Sequence, residues 1–235
     1  MLPALVVLAA LLGLAIGRLL RVVIRQVPRD EPVFRRVSSG AGRGGRTGPR
    51  YPAIEVATAA LFALLAWHFG FDAALPAFLY LAAAGLALAV IDVEHKRLPF
   101  ALTAPSYPVA LVLLGLAVAI RGEPARLAPM AAGMLGLFGF YALLHLINPR
   151  GMGFGDVMLA GVLGCYLGYL GWGPLVVGAF LGFLFGAGGG LLLIAARRGG
   201  LKSSVPFGPY MLAGALVAIL AGGPLAQAYL HAAVG

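Results

Sequence analysis

Residues 74–99 read ALPAFLYLAAAGLALAVIDVEHKRLP. Positions 74–91 carry no charged side chain, and Asp92, Glu94, His95, Lys96 and Arg97 follow at once. An apolar run of this length crosses the roughly 30 Å hydrocarbon core of a bilayer as a helix. The two-residue alternation of a barrel strand is absent, so a closed helix is the form compatible with lipid. The sudden change to charge marks the water boundary and puts Asp92 at it.

The rest of the chain repeats this pattern. Of 235 residues, 61% are hydrophobic and 11% charged, against about 25% charged in an average soluble domain. That composition excludes a soluble globular enzyme, a disordered chain and an ordinary nucleic-acid-binding domain. Mean hydropathy is +0.97. Apolar stretches run over 2–20, 54–70, 74–91, 108–120, 127–147, 156–170, 174–196 and 209–231. The fold class expected is therefore all-α, a polytopic membrane protein of about eight transmembrane helices. The domains expected are a first helix over 1–20, a short basic cytoplasmic loop over 21–53, and a seven-helix core over 54–235.

Charge sets the orientation. Arg18, Arg21 and Arg25 follow the first apolar run and none precedes it, the order of an uncleaved helix with its N-terminus outside. The segments then placed in the cytoplasm, 18–53, 92–107, 148–155 and 197–208, hold nine, two, one and three Lys or Arg residues. The outside loops hold only Arg121 and Arg126. Both termini are expected outside, with the protein in the cytoplasmic membrane as a multi-pass chain. The Arg- and Gly-rich stretch within 21–53 reads as a topological anchor that touches anionic lipid. It lacks the interleaved aromatics of an RNA-binding segment, so no nucleic-acid partner is expected.

Acidic residues number eight. Asp92 ends the third span, and Asp156 opens the sixth in NPRGMGFGDVMLAG. Two crossings separate them, which returns the chain to the same face, so both lie near the cytoplasmic boundary. Two carboxylates about 3–5 Å apart in a low-dielectric site share one proton between them. The charged one takes a proton from water while the other donates to a peptide carbonyl oxygen, the chemistry of an aspartic protease. Each residue also has a structural reading. Asp156 suits the first turn of a helix, and Asp92 a surface pair with His95 or Lys96. Gly151, Gly153 and Gly155 leave room for an extended peptide beside Asp156. In the seventh stretch, Gly178, Gly182, Gly186 and Gly190 recur every four residues and form a ridge for a neighbouring helix. His145, one turn after Tyr141, reads as a hydrogen-bonding residue between helices.

IDVEHKRLP at 91–99 and GMGFGD at 151–156 resemble the two aspartate motifs of the type IV prepilin peptidases, membrane aspartyl peptidases of the GxGD type. RYPAIEVATAALFALLAWHFG at 50–70 and RRGGLKSSVPFGPYMLAGAL at 197–216 resemble two further family segments. The resemblance covers most of the chain in order. It implies an endopeptidase that removes the basic leader from prepilin or pseudopilin precursors at the cytoplasmic face, with Asp92 and Asp156 as the catalytic pair. It makes Gly153, Phe154 and Gly155, with Pro206, Phe207 and Gly208 of VPFGPY, candidate substrate contacts. Partners implied are the precursors and membrane lipids.

The chain departs from the family in three ways. Many members carry two zinc-binding Cys-x-x-Cys pairs in the first cytoplasmic loop, but this chain has a single cysteine, Cys165. No zinc or other metal is expected, and no cofactor for proteolysis. Many members methylate the product with S-adenosylmethionine through that loop region, which leaves this second activity open here. Met158 and Phe100 stand where the family often has Lys and Asn. Two other readings of the aspartates are a relay in a proton-coupled transporter and a non-catalytic scaffold of a secretion apparatus.

Overall fold

The computed structural model describes residues 1–26, 51–149, 152–195 and 206–234. They form α1 (Leu2–Gln26), α2 (Tyr51–Phe69), α3 (Leu75–His95), α4 (Phe100–Arg121), a 3₁₀ turn (Pro124–Arg126), α5 (Leu127–Ile147), α6 (Phe154–Leu170), α7 (Trp172–Ala195) and α8 (Gly208–Val234). There is no strand among the described residues. Six helices are long and apolar enough to cross a membrane, and two shorter apolar ones run over Ala53–Phe69 and Phe154–Leu170. The protein is an all-α, multi-pass membrane protein. Large apolar side chains such as Leu135, Leu143 and Leu146 of α5 are exposed, a surface suited to lipid and costly in water. Most of the basic stretch expected between the first two helices falls at 27–50, outside the described residues.

The chain divides into two compact units, Met1–Ile91 and Asp92–Gly235. In the first, α1 and α2 meet through small residues. A Cβ on Gly13 would fall 2.7 Å from the Ala59 Cα, and one on Gly17 would fall 2.7 Å from the Glu55 Cα. Such close backbone approach is how helices pack where lipid supplies no hydrophobic drive between them. Arg21 of α1 pairs with Glu55 of α2, so an acid at the head of the second span has a partner on the adjacent helix.

The second unit is built around α6. Val157 and every residue from Leu159 to Tyr169 are buried, so this helix is covered on all sides, as a central helix must be. Glycine spacing explains how closely α5 approaches it. A Cβ on Gly133 would lie 2.3 Å from the Gly164 carbonyl oxygen, and one on Gly164 would lie 2.1 Å from that of Gly133. On the other flank, Gly178 faces Leu167 and Ala218, Gly182 faces Met211, and Gly186 faces the Phe207 ring. The four-residue glycine period of α7 is thus a packing surface for α6 and α8. Tyr107 ties α4 to α6 by donating to the Met158 carbonyl at 2.8 Å.

Among the helix starts that differ from the sequence reading, those of α4 and α6 bear on the site. α4 begins at Phe100 rather than 108 and holds Pro105 and Pro108 within it. The apolar stretch read from the sequence starts at 108, but the Thr103 and Ser106 side chains bond the Pro99 and Leu102 carbonyls in the segment before it. Polar side chains and neighbouring helices commonly make such prolines tolerable in membrane helices. α6 begins at Phe154, so Asp156 is its third residue.

Candidate active site

Asp92 lies in the last turn of α3, where the apolar run gives way to charge. It is only 4% exposed, which rules out the surface-pair reading, while Glu94, His95 and Lys96 just beyond it are exposed. Its Oδ2 accepts a hydrogen bond from the Gly208 amide at 3.0 Å. Gly208 is the first residue of α8, so the carboxylate meets the partial positive charge of a helix N-terminus. A Cβ on Gly208 would fall 3.0 Å from that same oxygen. Only glycine lets the backbone come so near without displacing a neighbour.

Asp156 sits in a similar setting at the start of α6. Its Oδ2 accepts from the Gly153 amide at 3.1 Å, and its own amide donates to the Gly153 carbonyl at 3.1 Å. The first-turn reading of this residue therefore holds. It accounts for one carboxylate oxygen only: Oδ1 is buried and has no hydrogen-bond partner among the described residues. A buried carboxylate oxygen without a donor is costly for structure alone and is available to a proton or a substrate.

The turn between α3 and α4 links the two sites. Lys96 takes the left-handed conformation, φ 53°, and its amide closes the helix on the Asp92 carbonyl at 2.7 Å. The reversal brings Leu98 against both aspartate-bearing segments. A Cβ on Gly155 would fall 2.6 Å from the Leu98 Cβ and 2.7 Å from its carbonyl oxygen, and one on Gly208 would fall 3.4 Å from both Leu98 methyl groups. Leu98 thus spans the space from the neighbour of Asp156 to the amide that binds Asp92. Both carboxyl groups belong to the second unit.

Of the candidate substrate contacts, Gly153 and Phe154 are exposed, whereas Gly155 is packed on Leu98. Pro206 and Phe207 are half-buried and Gly208 is buried. The Phe207 ring joins Tyr141 and Phe183, with centroids 6.1 and 5.8 Å away. Gly155 and Gly208 therefore shape the site by close backbone approach, while Gly153 and Phe154 present open surface. Gly151 lies outside the described residues.

Sequence reasoning passed over Leu98, the one apolar residue in the charged stretch HKRLP, and that position was its only signal. It also left Tyr141 without a role. Tyr141 is 2% exposed on α5 and packs against the Phe183 and Phe207 rings. One turn on, His145 bonds the Met152 carbonyl at 2.8 Å.

No group of three or more His, Cys, Asp or Glu side chains with metal-binding proximity occurs among the described residues. The zinc that accompanies the Cys-x-x-Cys form does not fit this chain, whose single cysteine is buried within α6.

A family model described as the type IV leader peptidase family matches residues 78–191, a span that contains both aspartates. The protein named "Prepilin leader peptidase/N-methyltransferase" from Pseudomonas aeruginosa is 34% identical over 185 residues, covering 78% of this chain and 62% of that protein. The one of the same name from Stutzerimonas stutzeri is 34% identical over 183 residues, 77% of this chain and 62% of its own length. That from Burkholderia pseudomallei (strain 1026b) is 35% identical over 182 residues, 75% and 56% respectively. The chain thus spans less than two thirds of the length of the curated relatives it matches. No solved structure matches it. With both aspartate motifs inside the matched region and an all-helical membrane unit around them, this chain is similar to the type IV leader peptidase family over residues 78–191.

Proposed function

We propose that the protein is a membrane-embedded aspartyl endopeptidase. Its substrates would be prepilin or pseudopilin precursors, from which it removes the basic leader at the cytoplasmic face of the cytoplasmic membrane. The observation that carries this reading is that Asp92 and Asp156 lie in one unit, each carboxylate accepting a glycine amide at the start of a helix, with Asp156 Oδ1 buried and without a hydrogen-bond partner among the described residues. Two such groups suffice for peptide hydrolysis. The ionised carboxylate takes a proton from water as the oxygen attacks the scissile carbonyl carbon. The protonated partner gives its proton to the carbonyl oxygen, which forms the neutral gem-diol. Collapse returns one proton to the dyad and delivers another to the leaving amine, leaving a free acid, a free amine and the starting state of the pair. The pair, not either residue alone, owns the proton.

The fifteen-to-two split of basic residues supports placing the site at the cytoplasmic side. A precursor whose basic leader meets an apolar helix presents its cut site at that depth, with the helix lying in lipid beside the enzyme. Anionic lipid is the natural contact of the basic 21–53 segment. The reaction as proposed uses carboxylates and water and no cofactor. Most of the 21–53 loop, with which the resemblance associates methylation by S-adenosylmethionine, lies outside the described residues.

Co-expression of a prepilin-like precursor with wild type, Asp92→Asn and Asp156→Asn, with leader removal followed by mass, tests the reading. Each mutant is expected to lose cleavage by about 10²–10⁴-fold, the range of positioned acid–base groups. Cleavage by either mutant at the wild-type rate overturns the proposal. A proton-coupled transporter instead shows no cut product and graded transport defects, and a scaffold tolerates both changes. Labelled S-adenosylmethionine in the same assay reads whether the new N-terminus is methylated.

A further inference from the structure

The carbonyl that accepts from His145 and the amide that donates to Asp156 belong to one peptide group. His145 Nδ1 lies 2.8 Å from the Met152 oxygen, and the Gly153 nitrogen, bonded to that same carbonyl carbon, lies 3.1 Å from Asp156 Oδ2. A carbonyl oxygen only accepts, so Nδ1 must carry the hydrogen, which fixes the imidazole tautomer. The hydrogen bonds therefore run in one direction, from imidazole through the peptide to the carboxylate. Each polarises the next, because donation to a carbonyl makes the attached N–H a stronger donor.

We propose that His145 is a positioning residue for the Asp156 carboxylate, acting through the Met152–Gly153 peptide. The plane of that peptide decides where the Gly153 N–H points, and so which face of Asp156 is occupied and which oxygen stays free. The peptide needs such a hold. Gly153 sits just before α6 in extended conformation, φ −72° and ψ 149°, and has no side chain to fix it. Nothing else described bonds the Met152 carbonyl. The Phe154 ring packs edge-on to the imidazole, with centroids 5.9 Å apart, and so holds the ring in place. His145 is itself on α5, whose close glycine contacts with α6 make the two helices one rigid frame.

This inference rests on the peptidase reading, and the test separates the two. Asparagine places its amide nitrogen near the position of Nδ1, whereas glutamine places it near that of Nε2. In full-length protein in detergent, the probe is a synthetic precursor peptide with a basic leader, a glycine and an apolar helix. His145→Ala and His145→Gln are expected to lower kcat by about 10–100-fold, the range for groups that orient a functional residue, with KM unchanged. His145→Asn is expected to recover most of that loss. Thermal unfolding of the Asn and Gln variants should agree, since both keep a polar side chain at the site. Equal kcat for the Asn and Gln variants, or wild-type kcat for Ala, overturns the inference. Wild-type cleavage by Asp156→Asn instead overturns the peptidase reading itself.

Discussion

The Gly208 amide and Asp92 Oδ2 meet at 3.0 Å although 116 residues separate them in the chain. This bond joins the last turn of α3 to the first residue of α8. Asp156 stands in a parallel relation to the first turn of α6. Both carboxylates thus face the positive end of a helix, and in both cases a glycine supplies the amide. The site is made of two converging helix starts, with the α3–α4 turn packed between them.

Replacing Gly208 by alanine probes that bond directly. The added Cβ falls 3.0 Å from Asp92 Oδ2 and 3.4 Å from the Leu98 methyls. The methyls can yield, but the carboxylate must shift by a few tenths of an ångström. Gly208→Ala is expected to reduce kcat by about tenfold or more, because small misplacements of acting groups are costly, while stability falls by about 1 kcal/mol. Initial rates of leader removal beside thermal unfolding separate the two effects, and a wild-type rate would show that the carboxylate does not need this approach.

Gly155→Ala should act mainly on folding. Its Cβ would sit 2.6 Å from the Leu98 Cβ and 2.7 Å from the Leu98 carbonyl oxygen, and a backbone atom cannot rotate away. A loss of about 1–3 kcal/mol is expected, typical of overpacking. Leu98→Ala in the same background keeps both the Cβ and the carbonyl oxygen, so it should not rescue the loss. Rescue would place the conflict in the Leu98 atoms beyond the Cβ.

How much of this was legible beforehand depends on the kind of contact. The membrane class, the all-helical fold and the common depth of the two aspartates follow from runs of apolar residues and the count of crossings, which are local or additive properties. The turn holding Leu98 against Gly155 and Gly208 is a three-body contact, and one sequence records no distance. Pro105 and Pro108 point to a late start for α4 by local preference, yet tertiary packing and Ser/Thr side chains prevail. The link from His145 was hidden for the same reason. Its acceptor is a backbone carbonyl, which every residue has, so no side-chain pattern announces it.

Lys96 offers a change in the stabilising direction. Its φ of 53° is unusual for a residue with a Cβ and costs about 1 kcal/mol relative to glycine. The side chain is exposed, so little packing is lost when it is removed. Lys96→Gly should raise stability by up to about 1 kcal/mol in chemical or thermal unfolding, with leader removal retained. A marked destabilisation would mean that the lysine charge, rather than the backbone turn, holds the end of α3.

The α4–α5 connection predicts a response to acid at the far end of α6. Arg126 donates to the Tyr169 carbonyl at 2.9 Å and lies over that ring, 5.0 Å from its centroid. It thereby satisfies a carbonyl in the last turn of α6, where a cation is favourable. Arg126 also bonds Glu123, and that hydrogen bond, with the charges of Arg126 and Arg121, holds the Glu123 carboxyl below its ordinary value of 4.5. A carboxylate whose folded value is depressed contributes stability above its unfolded value and loses it as pH falls through the folded one. The wild type should therefore lose stability on acidification below about pH 4.5 more steeply than Glu123→Gln, and the difference should shrink in high salt. Arg126→Ala should destabilise at every pH, by about 1–2 kcal/mol, because the Tyr169 carbonyl bond is lost with the ion pair. Thermal unfolding in detergent, followed from neutral pH downward, checks both slopes. Parallel curves for wild type and Glu123→Gln would mean that this carboxylate contributes nothing to the fold.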